Sequence, residues 1–340
     1  MKYLLVSLLT VLAVSCNSAQ NSVTNKIEKP LDRSDYASSI SANDLKTHLY
    51  IYAGDGMQGR MTGSNGQKLA TEYLRNFYQN QGIASPIEPN NYYQNIPASY
   101  FGGKSDNQDS ENVVAYIKGS EKPDELIILS AHLDHVGTDK EGNIFNGADD
   151  DGSGTVALLE MAEAFQKAVK NGNGPKRSIL FLHVTGEEIG LYGSKYYTEN
   201  PIFPLANTVC NLNTDMIGRI DPDKAENPNY IYLIGSDKLS QELHDVSEEV
   251  NKTYTNLELD YKFNDENDPN RFYYRSDHYN FAKNNIPVIF YFNGTHEDYH
   301  RMTDTPDKIE YDLMEKRTRL IFQTAWEIAN REGRIVADKL

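Results

Sequence analysis

Apolar residues recur three and four positions apart in several segments of the chain, which is the spacing of one helix face. Between Gln67 and Gln81 this spacing predicts a helix, and Gly82 marks its end. Gly154 to Lys170 has the same pattern with a longer apolar face. Ser41 and Asp44 resemble a capping box and predict a first helix. Further helices are predicted at Leu239–Val250 and Asp307–Asn330.

Short apolar runs between these helices predict β-strands. The predicted strands cover residues 94–99, 111–117, 126–130, 178–184, 208–212, 230–234 and 286–292. The alternation of strands and helices favours a single α/β domain over residues 41–334, with a central mixed, largely parallel sheet flanked by helices. The polar segment from Leu257 to Asn270 is expected to be a surface excursion, and residues 335–340 a tail.

The first residues have the composition of an export signal. Lys2 precedes an apolar run from Tyr3 to Val14, which is too short to span a bilayer. Residues 1–15 are therefore predicted to be a signal peptide. Leu12 to Cys16 also resembles a bacterial lipobox, so Cys16 is the expected lipidation site and residues 16–40 a flexible tether. We expect a lipoprotein of the bacterial cell envelope, periplasmic or surface-facing; the alternative is an ordinary signal peptide.

Composition and charge limit the partners and the metal ligands that this chain could have. The 340 residues include 33 basic and 49 acidic side chains, giving a formal charge of −16. This balance argues against a nucleic-acid partner, which requires a basic surface. The two cysteines, Cys16 and Cys210, rule out a disulfide framework and a thiolate zinc site. A bound metal would therefore need histidine and carboxylate ligands.

Histidine, aspartate and glutamate residues follow several of the predicted strands. In open α/β sheets, ligands bind at the carboxyl ends of the strands. His132 and Asp134 are two positions apart on an extended segment, so their side chains point the same way. Such a pair suits a metal-bound imidazole with an orienting carboxylate, or else a surface pair. Three consecutive aspartates, residues 149–151, suit either a cation or the cap of a helix. Three further motifs supply candidate ligands or bases: Glu187-Glu188, Asp215 and His300.

His296 to His300 also matches the H-E-x-x-H zincin motif. That motif requires both histidines on one face of a substantial helix. Asn293-Gly294 before the match and Pro306 after it leave room for only about two helical turns. We therefore expect His300 to bind metal with other partners.

As a set, these motifs resemble peptidase family M28, zinc peptidases that include bacterial leucyl-type aminopeptidases, with glutaminyl cyclases as relatives. The resemblance covers residues 41–334 and implies a zinc-exopeptidase fold with two zinc ions. By this resemblance His132 and Asp215 would hold one ion, Glu188 and His300 the other, and Asp150 would bridge them. Asp134 would orient His132, and Glu187 would be the general base.

The implied reaction is hydrolysis of peptide substrates, with aminopeptidase activity as the leading expectation. A metal-bridging hydroxide would be the nucleophile, and two zinc ions, three carboxylates and this hydroxide would together be neutral. The motif Arg275-Ser276-Asp277-His278 suggests substrate-pocket roles for Arg275, Asp277 and His278, or a helix cap. Alternatives are a glutaminyl cyclase-type acyltransferase, a carboxypeptidase and an inactive binding lipoprotein; cobalt or manganese could replace zinc.

Overall fold

The computed structural model describes residues 36–339, which form one domain with a mixed eight-stranded sheet. The strands are β1 (Tyr93–Ile96), β2 (Ser110–Ile117), β3 (Lys122–His132), β4 (Arg177–Val184), β5 (Thr208–Thr214), β6 (Tyr230–Ile234), β7 (Glu258–Asp260) and β8 (Val288–Phe292). Their spatial order is β1-β2-β4-β3-β5-β8-β6-β7. The central strands β4, β3, β5 and β8 are mutually parallel, whereas β1–β2, β2–β4 and β8–β6 pair antiparallel. The predicted largely parallel α/β sheet is confirmed.

Helices cover both faces of this sheet. They are α1 (Ala42–Tyr52), α2 (Asn65–Gln81), α3 (Gly154–Lys170), α4 (Tyr192–Glu199), α5 (Gln241–Val250), α6 (His278–Ala282) and α7 (Tyr311–Asn330). Alternate residues of β3 point to opposite faces, as pleating requires. Ile127 and Leu129 pack in one core with α3 and α7, and Leu126 and Ile128 in a second core that includes residues of α4 and α6.

The predicted helix boundaries agree closely with the structure because local signals set them. Ser41 caps α1 by accepting a hydrogen bond from the backbone N–H of Asp44. Gly82 ends α2 in the left-handed conformation that glycine favours. α3 has the predicted bounds. The pattern did not predict α4, whose eight residues carry a short apolar stripe among tyrosines and polar side chains.

Three expectations at the edges of the domain need correction. Tyr36 and Ile40 are fully buried in the core, so the packed domain includes the end of the expected tether. Ile335, placed in the tail, is also buried. The segment expected to be a surface excursion also contributes to a core, because the apolar ring of Phe263 is buried against Tyr232 and Phe292.

The signal peptide (1–15), Cys16 and residues up to 35 lie outside the described residues, so their roles stay predictions. Within residues 36–339, no helix combines the length and apolar character needed to cross a bilayer.

Candidate active site

The four central parallel strands bring the candidate residues to one edge of the sheet. His132 is the last residue of β3, and Asp215 directly follows β5. Glu187 and Glu188 lie in the turn after β4, and His300 in the loop after β8. Because β4, β3, β5 and β8 are adjacent and parallel, their carboxyl ends coincide, and the predicted ligands meet there.

Asp150 lies at the centre of this group. Its Oδ1 is 3.1 Å from His132 Nε2, and its Oδ2 is 2.9 Å from His300 Nε2. His132 Nε2 is also 3.6 Å from Asp215 Oδ1, and His300 Nε2 is 3.2 Å from Glu188 Oε2. The two oxygens of Asp150 therefore face the two pairs that the resemblance to family M28 assigns to separate ions.

The neighbouring aspartates have different tasks. Asp151 accepts backbone hydrogen bonds from His132 at 3.0 Å, Gly154 at 2.9 Å and Met216 at 3.2 Å. Asp149 accepts from Ser153, from the Gly218 backbone and from His296. Hydrogen bonding thus commits both carboxylates to holding the surrounding loops together. Asp150 is the aspartate of the run that faces His132 and His300.

His132 is oriented for metal binding through its other ring nitrogen. Nδ1 lies 3.1 Å from the backbone oxygen of Asp134, an acceptor that places the proton on Nδ1 and leaves the Nε2 lone pair free. The Asp134 carboxylate is farther away, with Oδ1 3.7 Å from Nδ1. That carboxylate accepts hydrogen bonds from Thr62 Oγ1 at 2.6 Å and from the Glu187 backbone at 3.2 Å. Asp134 therefore also positions the Glu187 turn.

Glu187 and Asp215 line the same cavity as Asp150. Burial raises the pKa of the Glu187 carboxyl well above its usual range, and the nearby Glu188 charge adds to the effect. Asp215 Oδ2 accepts a hydrogen bond from Ser276 Oγ at 2.6 Å. Ser276 thus orients Asp215, a role that sequence reasoning missed although Ser276 lies within a motif that it singled out.

The loop that carries His300 is fixed by buried ion pairs and hydrogen bonds. Asp304 accepts hydrogen bonds from the backbone N–H groups of Asp149 and Asp150, so it joins this loop to the aspartate run. Asp298 pairs with Arg219 at 2.8 Å. The H-E-x-x-H match forms turns rather than a helix. Its two histidines contact different carboxylates, Asp149 for His296 and Asp150 for His300, which excludes the zincin geometry.

A small cavity opens beside the carboxylates. Four of its lining side chains are apolar, namely Met216, Phe272, Phe290 and Phe292. Arg275 also lines it and stacks on the Phe272 ring, 4.9 Å from the ring centroid. Asp277 and His278 are buried outside the lining: Asp277 accepts a hydrogen bond from Ser194, and His278 stacks on Phe290. They therefore support the pocket from behind instead of facing the cavity.

Two further residues at the site had no predicted role. Arg60 is fully buried and donates hydrogen bonds to the backbone oxygens of Leu133, Asn146 and Gly147, which join the His132 and Asp150 loops. His135 lies with Nδ1 2.8 Å from Glu188 Oε1. His135 was within reach of sequence reasoning, since it follows His132 by three positions. The role of Arg60 depends on contacts distant in the chain.

Comparison with known proteins decides the family. The profile described as "Peptidase family M28" matches residues 112–325, more than half of the chain. The chain belongs to peptidase family M28. The M28 match spans the strands and loops that carry all of the predicted ligands.

Similar proteins agree with this M28 assignment. A protein of Pyrenophora teres f. teres named "Probable zinc metalloprotease" is 28% identical over 266 residues, 64% of this chain and 51% of its own. "Aminopeptidase Y" of Saccharomyces cerevisiae is 29% identical over 223 residues, 62% of this chain and 37% of its own. The chain spans about half the length, or less, of the curated relatives that it matches. The LapA aminopeptidase of Legionella pneumophila has a similar fold, with a TM-score of 0.68, 20% identity, and coverage of 88% and 75%.

The residues of this M28 chain fit the metal chemistry of the family. His135 Nδ1, Asp150 Oδ2 and Glu188 Oε1 are buried and lack hydrogen-bond partners among the described residues. The ligand atoms of His135, Asp150 and Glu188 lie within 4.8 Å of one another. Unpartnered buried polar atoms are costly, and a cation between them removes the cost. Imidazole and carboxylate donors suit zinc.

Proposed function

We propose that this chain is a two-zinc exopeptidase, an aminopeptidase that removes N-terminal residues from peptides. The observation that carries the proposal is the position of Asp150. One oxygen of its carboxylate faces His132 and the other faces His300, at 3.1 and 2.9 Å. His132 and Asp215 would hold one ion, and Glu188 and His300 the other, with Asp150 shared. Two bound zinc ions would supply an acidified water and polarise the scissile carbonyl.

Glu187 would move the proton in this reaction. Its backbone N–H is held by Asp134, and its side chain lines the cavity beside Asp150 and Asp215. No described residue donates a hydrogen bond to its carboxyl oxygens, which leaves them free to accept a proton. Glu187 would take the proton of the attacking water on a carboxyl oxygen and deliver it to the nitrogen of the leaving amine.

The cavity suggests the substrate side chain. Met216, Phe272, Phe290 and Phe292 give it apolar walls, which favour an apolar or aromatic first residue. The names of the yeast relative and of the Legionella structure, both called aminopeptidases, favour an aminopeptidase. The alternative is a carboxypeptidase, which would need a cation to bind the substrate carboxylate. Arg275, which lines this cavity, would be that cation.

One peptide with an N-terminal leucine and its N-acetylated twin test the proposal. Both peptides are incubated with zinc-loaded protein, and their masses are followed by mass spectrometry. We expect stepwise trimming of the free peptide from the amino end, whereas the acetylated twin stays intact. Trimming of both peptides from the carboxyl end would refute the aminopeptidase assignment. The variant Glu187→Gln should retain both zinc ions and lose about 100- to 10,000-fold in kcat, because it lacks the proton acceptor.

We also propose that Cys16 anchors the chain to a membrane of the cell envelope. The support is the apolar run and lipobox-like motif that precede it. To test this proposal, bacterial cells that express the chain are grown with radioactive palmitate, and their proteins are then partitioned between detergent and water. Cys16→Ser should abolish both the label and the partition into detergent; equal partition of the variant would contradict the anchor.

A further inference from the structure

His135 has the surroundings of a metal ligand. It follows β3, and its side chain is fully buried. Its Nδ1 lies 2.8 Å from Glu188 Oε1 and 3.8 Å from Asp150 Oδ2. On the other side of the same two carboxylates lies His300, at 3.2 Å from Glu188 and 2.9 Å from Asp150. The two histidines therefore flank one pair of carboxylates.

The contacts of His135 with these two carboxylates lack the angles of hydrogen bonds. Both ring nitrogens of His135 lack a hydrogen-bond partner within residues 36–339, and so do Glu188 Oε1 and Asp150 Oδ2. Among the other buried histidines, His183 and His296 each have a ring nitrogen in hydrogen-bond contact, with Tyr78 and Asp149 respectively, whereas both ring nitrogens of His278 lack such a partner among the described residues. What distinguishes His135 from His278 is its position beside two carboxylates with unpartnered oxygens. Close polar atoms that do not point at one another are expected where each points at a shared ion.

The backbone around His135 locks the ring in place. Its N–H donates to the backbone oxygen of Arg60 at 3.3 Å. Gly147 lies against the ring face: a Cβ there would be 2.5 Å from the ring carbons. A ring held in this way presents Nδ1 to the carboxylates without further loss of side-chain freedom, which favours binding.

We infer that His135 Nδ1 is a further ligand of the ion held by Asp150, Glu188 and His300, an inference that rests on the proposed two-zinc function. That ion would then have four protein ligands, whereas the other would have three, from His132, Asp150 and Asp215. Closed four-ligand zinc sites are typical of tightly held ions, and sites with three protein ligands keep a position open for water or substrate. The His135 ion should therefore bind first and more tightly.

Cadmium NMR tests the bond directly. Full-length protein labelled with 15N-histidine is stripped with a chelator and loaded with 113Cd, and one-bond coupling between cadmium and each ligating nitrogen is recorded. We expect coupling at Nε2 of His132, Nε2 of His300 and Nδ1 of His135. Coupling at His132 and His300 alone would overturn the inference and leave the two-metal function standing. A protein that takes up no metal would instead overturn the proposed function.

Zinc affinity gives a second measurement. His135→Asn retains an amide N–H near the position of Nδ1, so it preserves a hydrogen-bond donor but lacks the imidazole ligand. We expect it to weaken the tighter zinc ion by more than about 100-fold in equilibrium dialysis, beyond the about 10- to 100-fold typical of a lost positioning contact. A smaller loss would overturn the ligand role.

The matched control is His244→Asn, since His244 forms a hydrogen bond with Ser236 and packs at a tilt against the Tyr261 ring instead of contacting the site. It should leave both zinc affinities unchanged. Circular dichroism of the metal-free proteins verifies folding, and if His135→Asn does not fold, the cadmium coupling of the wild-type protein decides the question.

Discussion

Glu160 is a buried carboxyl on α3 and provides a test of the electrostatics that is independent of the metal site. It is 4% exposed, and its Oε2 accepts a hydrogen bond from the Ser41 backbone at 3.3 Å. His48 Nε2 lies 3.7 Å from Oε1. Burial raises the pKa of Glu160 from 4.5 to about 8, and the charge of Asp44 contributes to the rise. The carboxyl is therefore neutral in the folded protein at pH 7.

The sign of the pH dependence follows from this raised pKa. Below pH 4.5 both the folded and the unfolded protein hold the proton, so Glu160 adds no pH dependence. Between pH 4.5 and about 8 the unfolded chain releases the proton while the folded protein keeps it, so the free energy of unfolding falls as pH rises. The full interval corresponds to at most ~5 kcal/mol, at about 1.4 kcal/mol for each pH unit.

The substitution Glu160→Gln removes this titration. An amide of the same shape can still accept the Ser41 hydrogen bond. We expect similar stability of variant and wild type at pH 5, and a variant more stable by roughly 2–4 kcal/mol at pH 8.5, below the upper limit because the folded structure relaxes around the charge. Urea unfolding of both proteins at pH 5, 7 and 8.5, with metal held constant, measures the difference. Titrations shared by both proteins cancel.

Glu163→Gln is the matched control, because Glu163 is an exposed carboxyl on the same helix. Its substitution should change stability by less than about 0.5 kcal/mol at every pH. A stability difference between Glu160→Gln and wild type that is equal at pH 5 and pH 8.5 would refute the reasoning, since a buried carboxyl must penalise the charged form.

Three other substitutions test the architecture of the site. Arg60→Lys should lower Tm and weaken zinc binding by about 10- to 100-fold in dialysis, because one ammonium cannot satisfy the carbonyls that the guanidinium joins. Unchanged zinc affinity would contradict the positioning role of Arg60. Gly147→Ala should also weaken zinc binding, since Gly147 has φ +56° and a Cβ there would collide with the Asp150 backbone oxygen; an unaltered dialysis curve would count against this. Arg275→Ala should lower kcat/KM more for peptides with an acidic first residue than for those with leucine, and equal losses in a steady-state assay would argue against a substrate contact.

Much of the fold was readable from local patterns. The capping serine of α1, the glycine that ends α2 and the apolar stripe of α3 are signals within a few residues of the element that they define, and the structure confirms each. Where no local signal exists, prediction failed: α4 has only a weak apolar pattern. Burial of Phe263 depends on partners in other strands.

The site shows the same division. By itself the sequence indicated the candidate ligands, because His132, the aspartates 149–151, Glu187-Glu188, Asp215 and His300 follow strands whose ends meet in a parallel sheet. The choice of Asp150 and Glu188 within these motifs came from the resemblance to family M28. At His296–His300 the flanking Asn293-Gly294 and Pro306 already argued against a zincin helix, and the structure has turns there, in a loop that Asp304 and Asp298 tie to other parts of the chain.

Only the tertiary structure decided what each of these residues contacts. The two oxygens of Asp150 face different histidines, Arg60 joins two loops through their carbonyls, and His135 meets Glu188. These contacts join residues up to 150 positions apart. Their distances depend on how strands and loops pack, which no local pattern encodes. The sequence therefore determined the candidate ligands, whereas packing determined their geometry and brought Arg60, His135 and Ser276 to the site.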